Sequence, residues 1–273
     1  MPNSEDGQRE AVEFVVVLFI GDIVGEPGRR SVTQNIHRVS EQYRVDIVVG
    51  NAENVAGGFG VTADLANDLF DLGFSALTTG NHVWDKKEMV DYIRKEPRIL
   101  RPANYPDGTP GHGSFVIDRP NGEKIGLVQV MGRAFMPALD CPFQVVKREV
   151  AKLQAQTPCI IVDMHAETTA EKMAMGHFLD GQVTAVVGTH THVQTADEQI
   201  LPKGTAYLTD IGMTGPVNSV IGMKKELVID KFLTQMPRRF EVASGPAVLG
   251  ATVIELDPST GRATGIQRVR EIA

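Results

Sequence analysis

The stretch Gly188-Thr189-His190-Thr191-His192, set directly after the apolar run Val183-Thr184-Ala185-Val186-Val187, constrains this chain more than any other. A β-branched run that stops at a glycine reads as a buried strand followed by a turn. Two histidines two residues apart at such a strand end can aim both imidazoles into one crevice above a sheet. That carboxyl edge is where open α/β sheets bind ligands. Taken alone, the His-x-His pair fits a structural turn as well as a metal site, so the other strand ends must decide between them.

The same pattern recurs along the chain. The apolar run 14–20 ends at Gly21-Asp22, and the run 46–49 ends in Gly50-Asn51-Ala52-Glu53-Asn54. The run 75–79 ends in Gly80-Asn81-His82, and 159–162 ends in Asp163-Met164-His165. Uninterrupted apolar runs belong to parallel strands covered on both faces. Between and after them, helices are predicted over 29–43, 62–72, 86–95, 145–156, 170–178 and 226–236. The rhythm breaks at 114–118 and 124–130, which read as a hairpin around Pro120-Asn121-Gly122-Glu123 and imply antiparallel strands beside the parallel ones. A short strand at 207–210 and a terminal hairpin over 247–256 and 265–271 complete the reading. The expectation is one α/β domain over 13–273, built as a sandwich with a mixed sheet. A disordered extension over 1–12 precedes it, where Ser4-Glu5-Asp6-Gly7 has nothing to bury.

Five strand ends therefore carry Asp22, Glu53-Asn54, Asn81-His82, His165 and His190-x-His192. Each has an ordinary explanation by itself: a turn cap, a left-handed backbone position, a core histidine bonded to carbonyls. Their coincidence is harder to explain that way, because four of the seven histidines occupy the same kind of position. Imidazole and carboxylate together suit zinc, manganese or iron, and thiolate is absent from the set. Two such ions stabilise both the attacking and the leaving oxygen in displacement at phosphorus and make hydroxide available near neutral pH. Glu53, beside the ligand-type Asn54, is the candidate bridge, and hydrolysis of a phosphate ester is the reaction class. A net charge of −7 argues against a broad face for duplex nucleic acid but not against a small phosphorylated ligand held by metals. The two cysteines, Cys141 and Cys159, lack a CxxC spacing and read as reduced thiols of a cytoplasmic protein. The chain starts without a basic, apolar leader, and no apolar run reaches the ~18 residues of a membrane helix.

The order Gly-Asp, Gly-Asn-His, His, Gly-x-His-x-His resembles the calcineurin-like metallophosphoesterase superfamily. Within it, Ile20-Gly21-Asp22-Ile23-Val24-Gly25, Gly50-Asn51-Ala52-Glu53-Asn54 and Thr79-Gly80-Asn81-His82-Val83-Trp84-Asp85 are similar to the YmdB-like phosphodiesterase branch. So are Arg101-Pro102-Ala103-Asn104-Tyr105-Pro106, Asp163-Met164-His165-Ala166-Glu167, Gly188 to Asp197 and Leu201 to Tyr207. The resemblance implies a four-layer α-β-β-α sandwich with mixed sheets and two divalent ions, iron or manganese. Asp22, Glu53, Asn54 and His192 would hold one ion, and Glu53, Asn81, His165 and His190 the other. The substrate it implies is a 2′,3′-cyclic nucleotide, attacked by a bridging hydroxide while His82 protonates the leaving ribose oxygen. Two positions depart from the wider superfamily and agree with the branch: Val24 stands where a histidine is usual, and Glu53 where an aspartate is.

Gly57 and Gly58, in the loop Gly57-Gly58-Phe59-Gly60, and Arg133 are candidates to contact base or phosphate. A phosphomonoesterase or broader phosphodiesterase on the same ligands, and a regulatory protein that senses a nucleotide or RNA, are the competing readings. A homo-oligomer is compatible with such sandwiches. Met173 and Met175 read as packing, Trp84 as a wall of the site or a core residue. His37, His112 and His177 lie off the strand ends and receive no chemistry.

Overall fold

Alternate residues of each strand feed different cores, as the two-residue period of an extended chain demands. In β1 (Val15–Ile20), Val15, Val17 and Phe19 join one apolar cluster, and Leu18 and Ile20 join another. The computed structural model describes residues 14–272, so the expected disordered extension over 1–12 lies outside the described residues. After β1 come β2 (Asp22–Ile23), α1 (Gly25–Tyr43), β3 (Ile47–Asn51), α2 (Ala63–Asp71), β4 (Phe74–Thr78), α3 (Met89–Tyr92) and β5 (Ile99–Leu100). The expected hairpin is β6 (Ser114–Asp118) and β7 (Lys124–Met131), followed by α4 (Pro142–Gln154), β8 (Ile160–His165), α5 (Thr169–Leu179) and β9 (Ala185–Thr189). Then β10 (Gln199–Ile200), β11 (Ala206–Leu208), β12 (Met213–Pro216) and α6 (Lys225–Thr234) lead to the terminal hairpin of β13 (Ala247–Leu256) and β14 (Ala263–Ile272).

One sheet has eight strands in the order β2-β12-β13-β1-β3-β4-β5, with β14 paired to β13; the other has six in the order β10-β11-β9-β8-β7-β6. Both are mixed. β1, β3, β4 and β5 run parallel beside antiparallel β13. β7, β8, β9 and β11 run parallel between antiparallel β6 and β10. The cluster holding Val17 and Phe19 also holds Leu127, Ile161, Val187 and Leu208, and so fills the space between the sheets. Leu18 and Ile20 share a second cluster with Val32 and Ile36 of α1 and Leu69 of α2. On the far side, Val128 and Val162 pack with Val146 and Leu153 of α4 and Met175 and Leu179 of α5. Helices thus cover both outer faces, giving the four-layer α-β-β-α sandwich. Each fully buried aliphatic side chain in these layers contributes about 1.5–3 kcal/mol.

Three local readings differ from expectation. α1 begins at Gly25, four residues before the predicted start, because Pro27 falls in the first turn, where its missing N–H is not needed. The predicted helix over 86–95 shrinks to the four residues of α3. Its leading residues are committed elsewhere: Asp85 turns back to His82, and the Glu88 carboxylate accepts from the Ala63 backbone N–H at the start of α2. Met175 is buried as expected, but Met173, two residues earlier on the helix, is 46% exposed and packs no core. Among the described residues, no helix is long and apolar enough to cross a membrane.

Candidate metal centre

All parallel strands of both sheets point their carboxyl ends at one edge, and the polar strand-end residues meet there. Asp22, Glu53, Asn54 and Asn81 follow β1, β3 and β4, whereas His165 ends β8 and His190 and His192 follow β9. The two sets touch across the gap between the sheets. His165 Nε2 lies 3.0 Å from Asn81 Oδ1 and 3.1 Å from Glu53 Oε1. The His190 backbone N–H donates to Asp22 Oδ2 at 3.2 Å, and His192 Nε2 stands 3.7 Å from Asp22 Oδ1. Donor atoms of Glu53, His165 and His190 all lie within 4.8 Å of one another. Asp22, Glu53, Asn54 and His165 are each at most 3% exposed.

The backbone makes room for this convergence. A Cβ at Gly80 would stand 2.2 Å from His165 Nε2 and 2.4 Å from Glu53 Oε2, so only glycine fits. Asn51 ties β3 to the strand end beside it, donating to the Thr79 carbonyl at 2.8 Å and accepting the Glu53 N–H at 3.0 Å. His190 and His192 both have left-handed backbones, with φ of 97° and 65°. Such strain costs of order 1–3 kcal/mol per residue and persists only where the surroundings enforce it. Here Asp210 enforces it. Its Oδ2 accepts from the backbone N–H and hydroxyl of the intervening Thr191, at 3.2 and 2.6 Å, and its Oδ1 accepts the Gly212 N–H at 2.7 Å. The fully buried Lys172 ammonium balances the Asp210 carboxylate at 2.6 Å.

Hydrogen bonds set the histidine tautomers. The Thr189 hydroxyl donates to Asp163 Oδ1 at 2.7 Å and therefore accepts from His165 Nδ1 at 2.8 Å. This leaves His165 Nε2 as the atom facing Glu53 and Asn81. His192 Nδ1 donates to the Ile221 carbonyl at 2.9 Å, which turns Nε2 to Asp22. The ring of His190 packs edge-on to His165 with centroids 4.8 Å apart, and its Nε2 lies 3.1 Å from the half-exposed Glu167 carboxylate. Fixing one ring nitrogen with a second partner is how proteins aim the other at a metal.

The charges are strongly perturbed. Burial raises the Asp22 carboxyl above its ordinary range, against the pull of His192 and His165. Burial also works to raise Glu53, but His165 and the His82 N–H prevail and bring it to about 2. Burial disfavours a charged His165, yet Glu53, Asp22 and Asp163 push it up to about 9. His190 is pushed down to about 3, first by burial and then by His165. Three buried acceptors, Asp22 Oδ1, Glu53 Oε1 and Asn54 Oδ1, have no hydrogen-bond partner; the close approach of His165 to Glu53 Oε1 is an ionic contact without hydrogen-bond geometry. An unsatisfied buried acceptor costs about 1–3 kcal/mol, more when charged, so three together call for a cation. Oxygen and imidazole donors without thiolate fit a divalent ion. Val24, by contrast, is fully buried and offers no ligand, while Asn54, whose backbone carbonyl accepts the Gly25 N–H at 2.9 Å, carries an unpaired side-chain oxygen.

A cavity of about 360 Å³ opens beside Glu53, Asn54, His82, His190 and His192. His82 Nδ1 pairs with the Asp85 carboxylate at 2.8 Å, and Phe59 meets the imidazole edge-on at 5.1 Å. Gly58 lines this cavity, whereas Gly57 lines a neighbouring one. The Arg133 side chain is exposed and does not line the cavity; its backbone N–H donates to Glu171 at 3.0 Å. Trp84 packs against the α1–α2 core and edge-on to Tyr105, and it does not wall the cavity.

Sequence reasoning missed the Lys172–Asp210 pair. Asp210 follows the apolar strand β11, the same signal that marked the ligands. Lys172 shares the buried stripe of α5 with Met175, Gly176 and Leu179, and a lysine at that spacing needs a buried partner.

Residues 18–269 match the family model described as YmdB-like protein. Over 253 residues, the chain is 46% identical to the 2′,3′-cyclic-nucleotide 2′-phosphodiesterase of Bacillus subtilis strain 168, covering 93% of this chain and 96% of that protein. A structure described as a novel phosphatase from Mycoplasma pneumoniae superposes with a TM-score of 0.90 at 34% identity, over 96% of this chain and 95% of that one. A hypothetical protein from Thermus thermophilus gives 0.88 at 41% identity, over 94% and 99%. With the family model spanning nearly the whole chain and these relatives matching it end to end, the chain belongs to the YmdB-like family.

Proposed function

We propose that this chain is a dimetal phosphodiesterase that hydrolyses 2′,3′-cyclic nucleotides. The observation that carries the reading is the cluster of buried, unpartnered acceptors of Asp22, Glu53 and Asn54 on one sheet, met by His165, His190 and His192 of the other beside a cavity. The activity named for the Bacillus subtilis relative supports the substrate class. Asp22, Glu53, Asn54 and His192 would hold one ion and Glu53, Asn81, His165 and His190 the other, with iron or manganese suited to these donors. When bound, such a pair neutralises charge on the phosphoryl oxygens and supplies an oxygen nucleophile near neutral pH.

The protein's own contribution is positional and protonic. Glu53 is fixed by the His82 N–H on Oε2 at 3.0 Å and by its own N–H on Asn51, so its carboxylate would hold ions without reorganising. His82 donates Nδ1–H to Asp85, which orients the ring and turns Nε2 away from that carboxylate. As general acid, His82 would give a proton from Nε2 to the ribose oxygen that leaves phosphorus. Glu53→Gln is expected to abolish hydrolysis of 2′,3′-cyclic AMP while circular dichroism and the melting temperature show a folded protein. Full activity in that variant would refute the bridge. A substrate panel separates this reading from a phosphomonoesterase: cyclic diesters turn over faster than monoesters if it holds.

A further inference from the structure

The cavity beside the metal ligands is chemically lopsided. Away from Glu53, Asn54 and the three histidines, its walls are apolar, with Phe59, Ile221, Met223, Phe232 and Phe240 the largest apolar side chains and Lys231 the one lining side chain there that carries a polar nitrogen or oxygen. A phosphate and two ions use none of this surface. Most of it comes from the segment between β12 and β13, which contains α6 and contributes no metal ligand. Met223 and Val228 are buried at 6% exposure and form the floor, whereas Phe232 stands 72% exposed at the rim. The Lys231 ammonium lies over the Phe240 ring at 4.9 Å from its centroid, leaving a cation beside the aromatic wall. The volume, about 360 Å³, falls in the range of small-molecule sites and exceeds what a phosphate needs.

We infer that this apolar pocket takes the nucleobase of the substrate and holds it by stacking, so that the enzyme requires a base but does not read which one. This rests on the cyclic-nucleotide reading above and adds to it the group that supplies affinity. Discrimination between bases needs acceptors and donors aimed at their edges, and leaving a buried partner unpaired is what rejects the wrong base. Here the aromatic walls present only faces and edges, and Lys231 only donates. Exocyclic amino groups of adenine, guanine and cytosine therefore find no side-chain oxygen or nitrogen acceptor in the apolar part of the pocket. Stacking accepts every base because each has a π-face.

The test compares kcat and KM for 2′,3′-cyclic AMP, GMP, CMP and UMP with those for glycerol 1,2-cyclic phosphate, which has the same strained diester and no base. The four nucleotides are expected within about 5-fold of one another in kcat/KM, and the base-free ester at least about 10-fold below them, chiefly through KM. Phe240→Ala and the rim variant Phe232→Ala should each lower kcat/KM for the nucleotides, by about 5- to 150-fold for loss of a stacking partner, and lower it less for the base-free ester. Equal efficiency on the base-free ester, a preference above 10-fold for one base, or equal losses on both substrates would overturn the inference. If no cyclic ester is hydrolysed, the functional reading fails separately. The pocket is then judged by calorimetry with adenosine 3′-monophosphate against inorganic phosphate, and equal affinities would refute it.

Discussion

Gly80 shows how tightly the centre is built. Its missing side chain leaves the space that His165 Nε2 and Glu53 Oε2 occupy beside the backbone. Gly80→Ala would drive a methyl group into both, so it is expected to lower activity on 2′,3′-cyclic AMP by more than 100-fold and to reduce the ions retained after gel filtration. Activity within 3-fold of wild type would mean that the glycine is there only for the turn. At this scale the sequence was most readable. The seven residues expected as ligands come together at one edge because each follows a strand whose apolar run and terminal polar residues are visible in the sequence. The left-handed backbones of His190 and His192 were not readable, since nothing in the residue types announces strain that a distant carboxylate enforces. Arg133 failed as a cavity residue for a related reason: a lone arginine in a loop carries no positional information.

At the level of elements, α5 is more than a cover for the second sheet. It places Lys172 on its buried face, under Asp210 and hence under the Thr191 turn that separates the two histidines. Removing one partner of a buried pair leaves the other charge uncompensated and costs about 3–5 kcal/mol. Lys172→Met is therefore expected to lower the urea-unfolding free energy by roughly that amount. A change below about 1 kcal/mol would show that Asp210 finds its balance elsewhere. Long parallel strands and the two hairpins were legible because apolar runs and turn residues mark them. The two-residue strands β2, β5 and β10 are too short to display a period, and they exist only because neighbouring strands supply hydrogen-bond partners. The helix expected over 86–95 was overridden in the same way, by tertiary uses of Asp85 and Glu88 that local propensity cannot see.

For the whole molecule, the centre spans the gap between two sheets that otherwise meet through apolar side chains. The four-layer arrangement was not readable from periodicity, which supplied only an α/β sandwich, and it came from the family motifs. Because the proposed ligands come from both sheets, ions bound there would stabilise the folded chain over the unfolded one by mass action, about 2.7 kcal/mol at a hundredfold excess over Kd. Chelation is thus expected to lower the melting temperature, and re-addition of manganese to restore it; a melting curve indifferent to both would place the ions, if any, outside the fold. The most direct test of the central claim is the number of divalent ions bound per chain, measured by plasma mass spectrometry on manganese-loaded protein after gel filtration. Two ions per chain is the result predicted from the convergence of Asp22, Glu53, Asn54, Asn81, His165, His190 and His192. One ion or none would contradict it.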